Sequence, residues 1–166
     1  MMLMYTGIVF SFVFGVLLHY VFEWSGRSLF VAFIAPTNES LFEHLKLLLS
    51  PYLIWTLVEY AHYGQFMHAF VPAKVISLYI GMFLMITFYL FYTWLADAHA
   101  VWVKVLIFGM SVVAAFVSGE FLMTFQFMDR LGLEIFFDAV LVLTVIVFAA
   151  CSIYPPNKGF FKPTKR

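Results

Sequence analysis

The stretch 75-VISLYIGMFLMITFYLFYTWLA-96 runs for 22 residues without a charged side chain. A helix needs about 20 apolar residues to cross the hydrocarbon of a bilayer. Backbone amides inside hydrocarbon must be satisfied within the segment itself, so this run reads as a transmembrane helix. Working outward, four further stretches have the same reach. They lie at about 2–22, at about 41–64 with Pro51 inside it, at 101–125 interrupted by Glu120, and at 135–154. Pro155-Pro156 then stops the last of them and opens a basic tail, 155–166. None shows the ten-residue alternation of barrel strands. The expected fold is all-α, a polytopic transmembrane bundle of about five spans, with residues 1–166 forming one helical domain without internal repeats.

Composition agrees. Of 166 residues, 64% are hydrophobic and 11% charged, and mean hydropathy is +1.00. An average soluble domain is about 25% charged, and a soluble domain this small leaves too much surface in water to hide so much apolar matter. Nine basic and nine acidic residues cancel, which leaves no electrostatic footprint for nucleic acid. The lone Cys151 excludes an internal disulfide and a cysteine-rich metal site. The expected surroundings are the lipid bilayer, in a multi-pass arrangement in a cell membrane.

Residues 1–22 carry no Lys or Arg and no cleavage motif follows, so the first stretch is expected to stay as a span. With five spans the termini lie on opposite faces. Arg27, Lys46, Lys104, Lys158, Lys162, Lys165 and Arg166 share one face, against Lys74 and Arg130 on the other. The positive-inside rule then puts the C-terminus in the cytoplasm and the N-terminus outside.

Between the first two spans lies 23-EWSGRSLFVAFIAPTNES-40, whose apolar core 29–35 is far too short to cross. It is read as an interfacial segment, with a re-entrant loop as the alternative if protein covers its backbone. Ser40 and Glu43 have capping-box spacing, and Glu39 and Glu43 suit the positive end of a helix dipole. His19 and Glu23 are four apart and so share a helix face. By topology His19, Glu23, Glu39, Glu43 and His44 gather at one membrane boundary, with Asn38, Asp97 and His99 nearby. Imidazole and carboxylate are ligands for zinc, iron or manganese, so these five are the candidate ligands of a divalent metal. No H-E-x-x-H motif is present, and adjacent Glu43 and His44 point about 100° apart, so a metal would draw ligands from at least two elements.

The pattern His19-x-x-x-Glu23-Trp24-Ser25, then Pro36-x-Asn38-Glu39-Ser40-x-x-Glu43-His44-x-Lys46, resembles an uncharacterised, domain-of-unknown-function family of small bacterial integral membrane proteins. Tyr154-Pro155-Pro156 before Phe160-Phe161 is similar too. The resemblance implies a multi-span membrane protein and carries no activity.

A second cluster lies deeper. Glu59 is thirteen residues beyond Lys46, about 20 Å, and Glu120 sixteen beyond Lys104, about 24 Å, at ~1.5 Å per residue. Asp138 comes in from the far side. Carboxylates within a span are costly and count as functional candidates, although spans that end earlier would leave them in headgroups. Asn38, Glu39, Glu43, His44, Glu59, Glu120 and Asp138 are therefore the substrate- or ion-binding candidates. For packing, Gly7, Ser11 and Gly15 in span one and Ser111, Ala115 and Gly119 in span four form small-residue lines that allow close helix approach. The lines could meet within one subunit, which would bring His19 near Val101–Lys104, or across a homo-oligomer.

Three functions fit. The favoured one is small-solute or cation binding and transport through polar clusters at both faces. The second is a membrane-embedded metal-dependent hydrolase or other lipid-modifying enzyme, and the third a non-catalytic assembly partner. Ser25 and Ser28 lack triad spacing, and Gly26 is isolated, so neither a serine hydrolase nor a phosphate loop is expected.

Overall fold

The computed structural model describes residues 2–95, 100–154, 156 and 161. Asp97, His99, Phe160 and the basic tail residues Lys158, Lys162, Lys165 and Arg166 lie outside the described residues. The chain forms α1 (Met2–Trp24), α2 (Leu29–Ala32), α3 (Leu41–His44), α4 (Lys46–His62), α5 (Phe70–Leu95), α6 (Val101–Leu122) and α7 (Leu131–Ile153). Short 3-10 turns at Gly64–Phe66 and Gln126–Met128 join α4 to α5 and α6 to α7. With α3 and α4 counted as one span, five helices are long and apolar enough to cross a membrane. The protein is an all-helical, multi-pass membrane protein.

Boundaries follow the sequence reading to within three residues except at two helix starts, and α7 begins at Leu131, four residues before the expected 135. α5 begins at Phe70, five residues before the expected 75, and so takes in Pro72 and Lys74. Pro72 fits the first turn, where its missing N–H is not needed. Lys74 reads as a boundary in the sequence, but its charge is met inside the bundle by Glu59.

α4 is the hub. Well over half of its span is buried, whereas only 11% of the α7 span is. α1, α5 and α6 pack around α4, and α7 leans mainly on α5, where Tyr79 and Thr144 share a hydrogen bond of 2.6 Å. Along α1, Tyr5, Val9, Val13, Leu17 and Tyr20 recur near every fourth position and are exposed, which is the lipid-facing side of a helix in this setting.

The small-residue lines account for the tight contacts. Gly7 meets Trp55 and Phe116, and Gly15 meets Phe108 and the backbone of Leu47. Trp55, mid-span in the sequence, is explained here, since its Nε1 donates to the Leu3 carbonyl at 3.0 Å. Pro51 has no N–H to offer the Leu47 carbonyl four residues back. A Cβ on Gly15 would stand 2.6 Å from that oxygen, so only glycine lets α1 approach the gap in the α4 ladder. The α6 line departs from the expectation that it faces span one. Ser111 and Ala115 meet Gly81 of α5, and Gly119 lies against Ser77, while α1 reaches α6 through Phe116, Phe108 and Gly109. Gly7, Ser11, Gly15, Ser111, Ala115 and Gly119 are all buried within the subunit, so these faces are not free to join copies.

Gly15→Ala is expected to cost about 1–3 kcal/mol of stability, because the backbone of Leu47 cannot yield. Gly132→Ala, with open space around it, should be neutral or better. Thermal unfolding in mild detergent compares the two.

Candidate functional site

The segment after α1 is fastened to the bundle by charge. Lys46 is fully buried, and its Nζ donates to Glu43 Oε2 at 2.7 Å and to the Ala32 carbonyl at 2.8 Å. The same carboxylate oxygen accepts from the Thr37 amide at 2.8 Å and the Thr37 hydroxyl at 3.0 Å. Four residues further into α4, Ser50 donates to the Ile34 carbonyl at 2.7 Å. The chain therefore dips beside α4 as far as Ile34 and returns by Thr37. Phe30 and Phe33 stay exposed, while Ala35 and Pro36 are buried. The backbone is covered as a re-entrant turn requires, and the outward phenylalanines suit an interfacial one.

The capping box is half formed. Ser40 Oγ accepts from the Glu43 amide at 3.3 Å, but Glu43 does not reach back to the Ser40 amide. Lys46 and Thr37 hold it, and Asn38 Oδ1 takes the Ser40 amide instead at 2.8 Å. Glu43 and Asn38, both binding candidates in the sequence, are thus engaged in shaping the loop.

That shape presents Glu39 to two imidazoles. His19 Nε2 of α1 lies 3.8 Å from Glu39 Oε1, and His44 Nε2 of α3 lies 3.7 Å from Glu39 Oε2. The two rings are 5.4 Å apart between centroids. One ligand atom from each of His19, Glu39 and His44 falls within 4.8 Å of the other two. Both nitrogen–oxygen separations exceed hydrogen-bond length. Two donors bound at about 2.1 Å with tetrahedral angles lie about 3.4 Å apart, so a small closure would seat an ion among the three. His44 Nδ1 is 2.9 Å from the Ser40 carbonyl. A carbonyl can only accept, so Nδ1 carries the proton, and in the neutral form of the ring the Nε2 lone pair is turned toward the other two groups. Metal-bound histidines are commonly oriented this way.

Of the five expected ligands, three converge. Glu43 is committed to Lys46, and Glu23 pairs on the exposed rim with Arg27 at 3.2 Å. The three line a cavity of about 170 Å³ with Val16, Leu47, Met85, Ile107 and Phe108 toward its apolar interior, and Val101 and Lys104 on the α6 wall. His19 does come near Val101–Lys104, the outcome expected of packing within one subunit.

At the other end of the bundle, Lys74 and Glu59 are both buried and their Nζ and Oε2 atoms are 2.7 Å apart. The pair is an electrostatic contact whose angle does not meet that of a formed hydrogen bond. Glu120 stands 3.6 Å from the same ammonium and accepts from the Tyr63 hydroxyl at 3.2 Å. Burial first, then the Glu59 and Glu120 carboxylates, raise the Tyr63 hydroxyl above its ordinary range, which keeps it a neutral donor. Lys74 also lies over the rings of Phe70 and Phe116. The three deep carboxylates do not converge on one another. Asp138 is exposed on α7 and lines, together with Lys74, a separate cavity. The lysine missed as a partner organises the other two, and a cation directly before the apolar run 75–96 was its one sequence signal. Beside this cluster His68 bonds Glu134, tying the start of α5 to the start of α7.

The fold and this polar bundle define a polytopic helical membrane protein with a three-residue His–Glu–His cluster at one end. The chain belongs to a family of unknown function, DUF6512, whose profile matches residues 2–165. No curated protein and no solved structure shows significant similarity to it.

Lys74→Met strands Glu59 in an apolar interior and should cost about 3–5 kcal/mol, with much of the loss recovered in Glu59→Gln/Lys74→Met. Denaturant unfolding in detergent measures both. Glu43→Gln removes the charged acceptor of the Thr37 amide. A hydrogen bond to a charged group is worth about 1.5–3 kcal/mol, so that amide should exchange with deuterium at least about tenfold faster.

Proposed function

We propose that this chain is a membrane-embedded metalloprotein in which His19, Glu39 and His44 hold one divalent ion for metal-dependent chemistry on a bound molecule. The observation that carries the reading is a carboxylate centred between two imidazole Nε2 atoms at 3.8 and 3.7 Å, with the His44 lone pair oriented by the Ser40 carbonyl. Two imidazoles and one carboxylate suit zinc or iron(II), and three protein ligands leave positions open, as catalytic sites do. The open side faces the cavity. A metal there would polarise a bound carbonyl or phosphoryl oxygen, or supply hydroxide at neutral pH. The positive-inside bias puts this end of the bundle in the cytoplasm.

Transport of a solute between the two polar clusters has less support. Among the described residues, Leu48, Val112, Ala115 and Phe116 are fully buried between them, with Tyr52 at the same level, which favours a closed middle over an open path.

Protein purified in detergent without chelator should carry about one divalent ion per chain by elemental analysis. Glu39→Gln and His44→Ala should each lose it, while Glu23→Gln, outside the group, keeps it. Metal and protons compete for imidazole nitrogen, so affinity should fall as the pH is lowered. Wild-type protein that stays metal-free when offered zinc or iron(II) would sink this reading.

A further inference from the structure

The cavity beside the His–Glu–His cluster has an acidic and imidazole wall, an apolar interior and a cation whose role the fold does not explain. Lys104 lies in the first turn of α6 and lines the cavity, with its Nζ 5.9 Å from the centre of the Tyr89 ring. Among the described residues no carboxylate is within ion-pair distance of it, although Lys46 has one and Lys74 two. Its position is also the wrong one for a cation. The N-terminal end of a helix carries partial positive charge, and basic residues are favoured at the opposite end. Among the described residues no side chain caps that end of α6, since its N-cap residue is Ala100. The uncapped first turn and Lys104 therefore add, and both would be relieved by an anion at the mouth of the cavity.

Below that level the lining is Leu47, Met85, Ile107 and Phe108. The whole cavity, polar wall included, measures about 170 Å³, comparable to a space of about 150 Å³ that admits a benzene-sized group. Tyr20 and Val105, both exposed, border it where α1 and α6 face lipid. A molecule seated here would meet a cationic helix end, open metal positions and a short apolar slot at once.

We propose that the cavity binds an amphiphile with an anionic oxyanion head, phosphate or carboxylate, the head at Lys104 and the α6 N-terminus and the first carbons of its chain against Leu47, Met85, Ile107 and Phe108. The proposal rests on the metal reading for its second head contact and on Lys104 for its first. Lys104 is a specificity-determining residue for the head, not a metal ligand.

The test uses the full chain in a neutral detergent, loaded with Co²⁺ and titrated with hexyl phosphate, inorganic phosphate or hexanol while the visible Co²⁺ bands are followed. Hexyl phosphate should shift the bands and bind at least tenfold tighter than inorganic phosphate, and hexanol should have no effect. Lys104→Gln should weaken hexyl phosphate at least tenfold with Co²⁺ affinity unchanged, and Lys104→Arg should restore most of it. Equal binding of inorganic phosphate would overturn the amphiphile in favour of a free oxyanion. Bound Co²⁺ with no response to hexyl phosphate, or full binding in Lys104→Gln, would overturn the proposal and leave the metal standing. If Co²⁺ does not bind, the metal reading fails. Calorimetric titration of hexyl phosphate then reads the Lys104 contact alone, with binding lost in Lys104→Gln expected and no binding to the wild type overturning it.

Discussion

Two lysine ammonium groups are buried in a bundle made almost wholly of apolar side chains, and each must find a carboxylate at close range. An unpaired charge in such a medium costs several kcal/mol. Lys46 and Lys74 are therefore fixed points. Lys46 takes Glu43 and the Ala32 carbonyl, which folds the 29–40 segment back against α4. Lys74 takes Glu59 and draws in Glu120, which ties α4, α5 and α6 together at the opposite end. The small residues let α1, α5 and α6 come close enough for these short side-chain bridges to form.

The candidate metal cluster depends on the first of these pairs. Glu39 sits on the loop whose course is set by Glu43, Thr37 and Lys46, and His44 sits one residue past Glu43 on α3. A structural ion pair thus supports a ligand set that it does not join. His19 arrives from α1 because Gly15, four residues earlier, lets that helix lie against Leu47 and Phe108. The ligands come from three elements, each placed by a different interaction.

The polarity of the two ends differs in kind. At the Lys74 end the charges neutralise one another within packed helices, as a clamp would. At the His44 end two imidazoles, a carboxylate and the lysine of α6 all line one cavity, and that lysine has no ion-pair partner among the described residues. Groups that gather around Glu39 and also line a shared space suit a ligand. The Lys74 end ties three helices together, and the His44 end carries the candidate site.

The five spans, the all-helical class and the close-packing glycines were legible in the sequence, because hydrocarbon imposes helical hydrogen bonding on any apolar run of sufficient length. The gathering of histidines and acids at one boundary was legible too, from topology alone. Which of them meet was not. Glu43 and Glu39 look equivalent in sequence, and only the fold gives one to Lys46 and the other to the histidines. The start of α5 was misread because a lysine signals a membrane boundary when its partner, fifteen residues earlier in another helix, is out of sight. Hydropathy is a local property and determined where the helices lie. Charge pairing acts between helices, and so only the tertiary structure decided which polar groups are consumed and which are left facing the cavity.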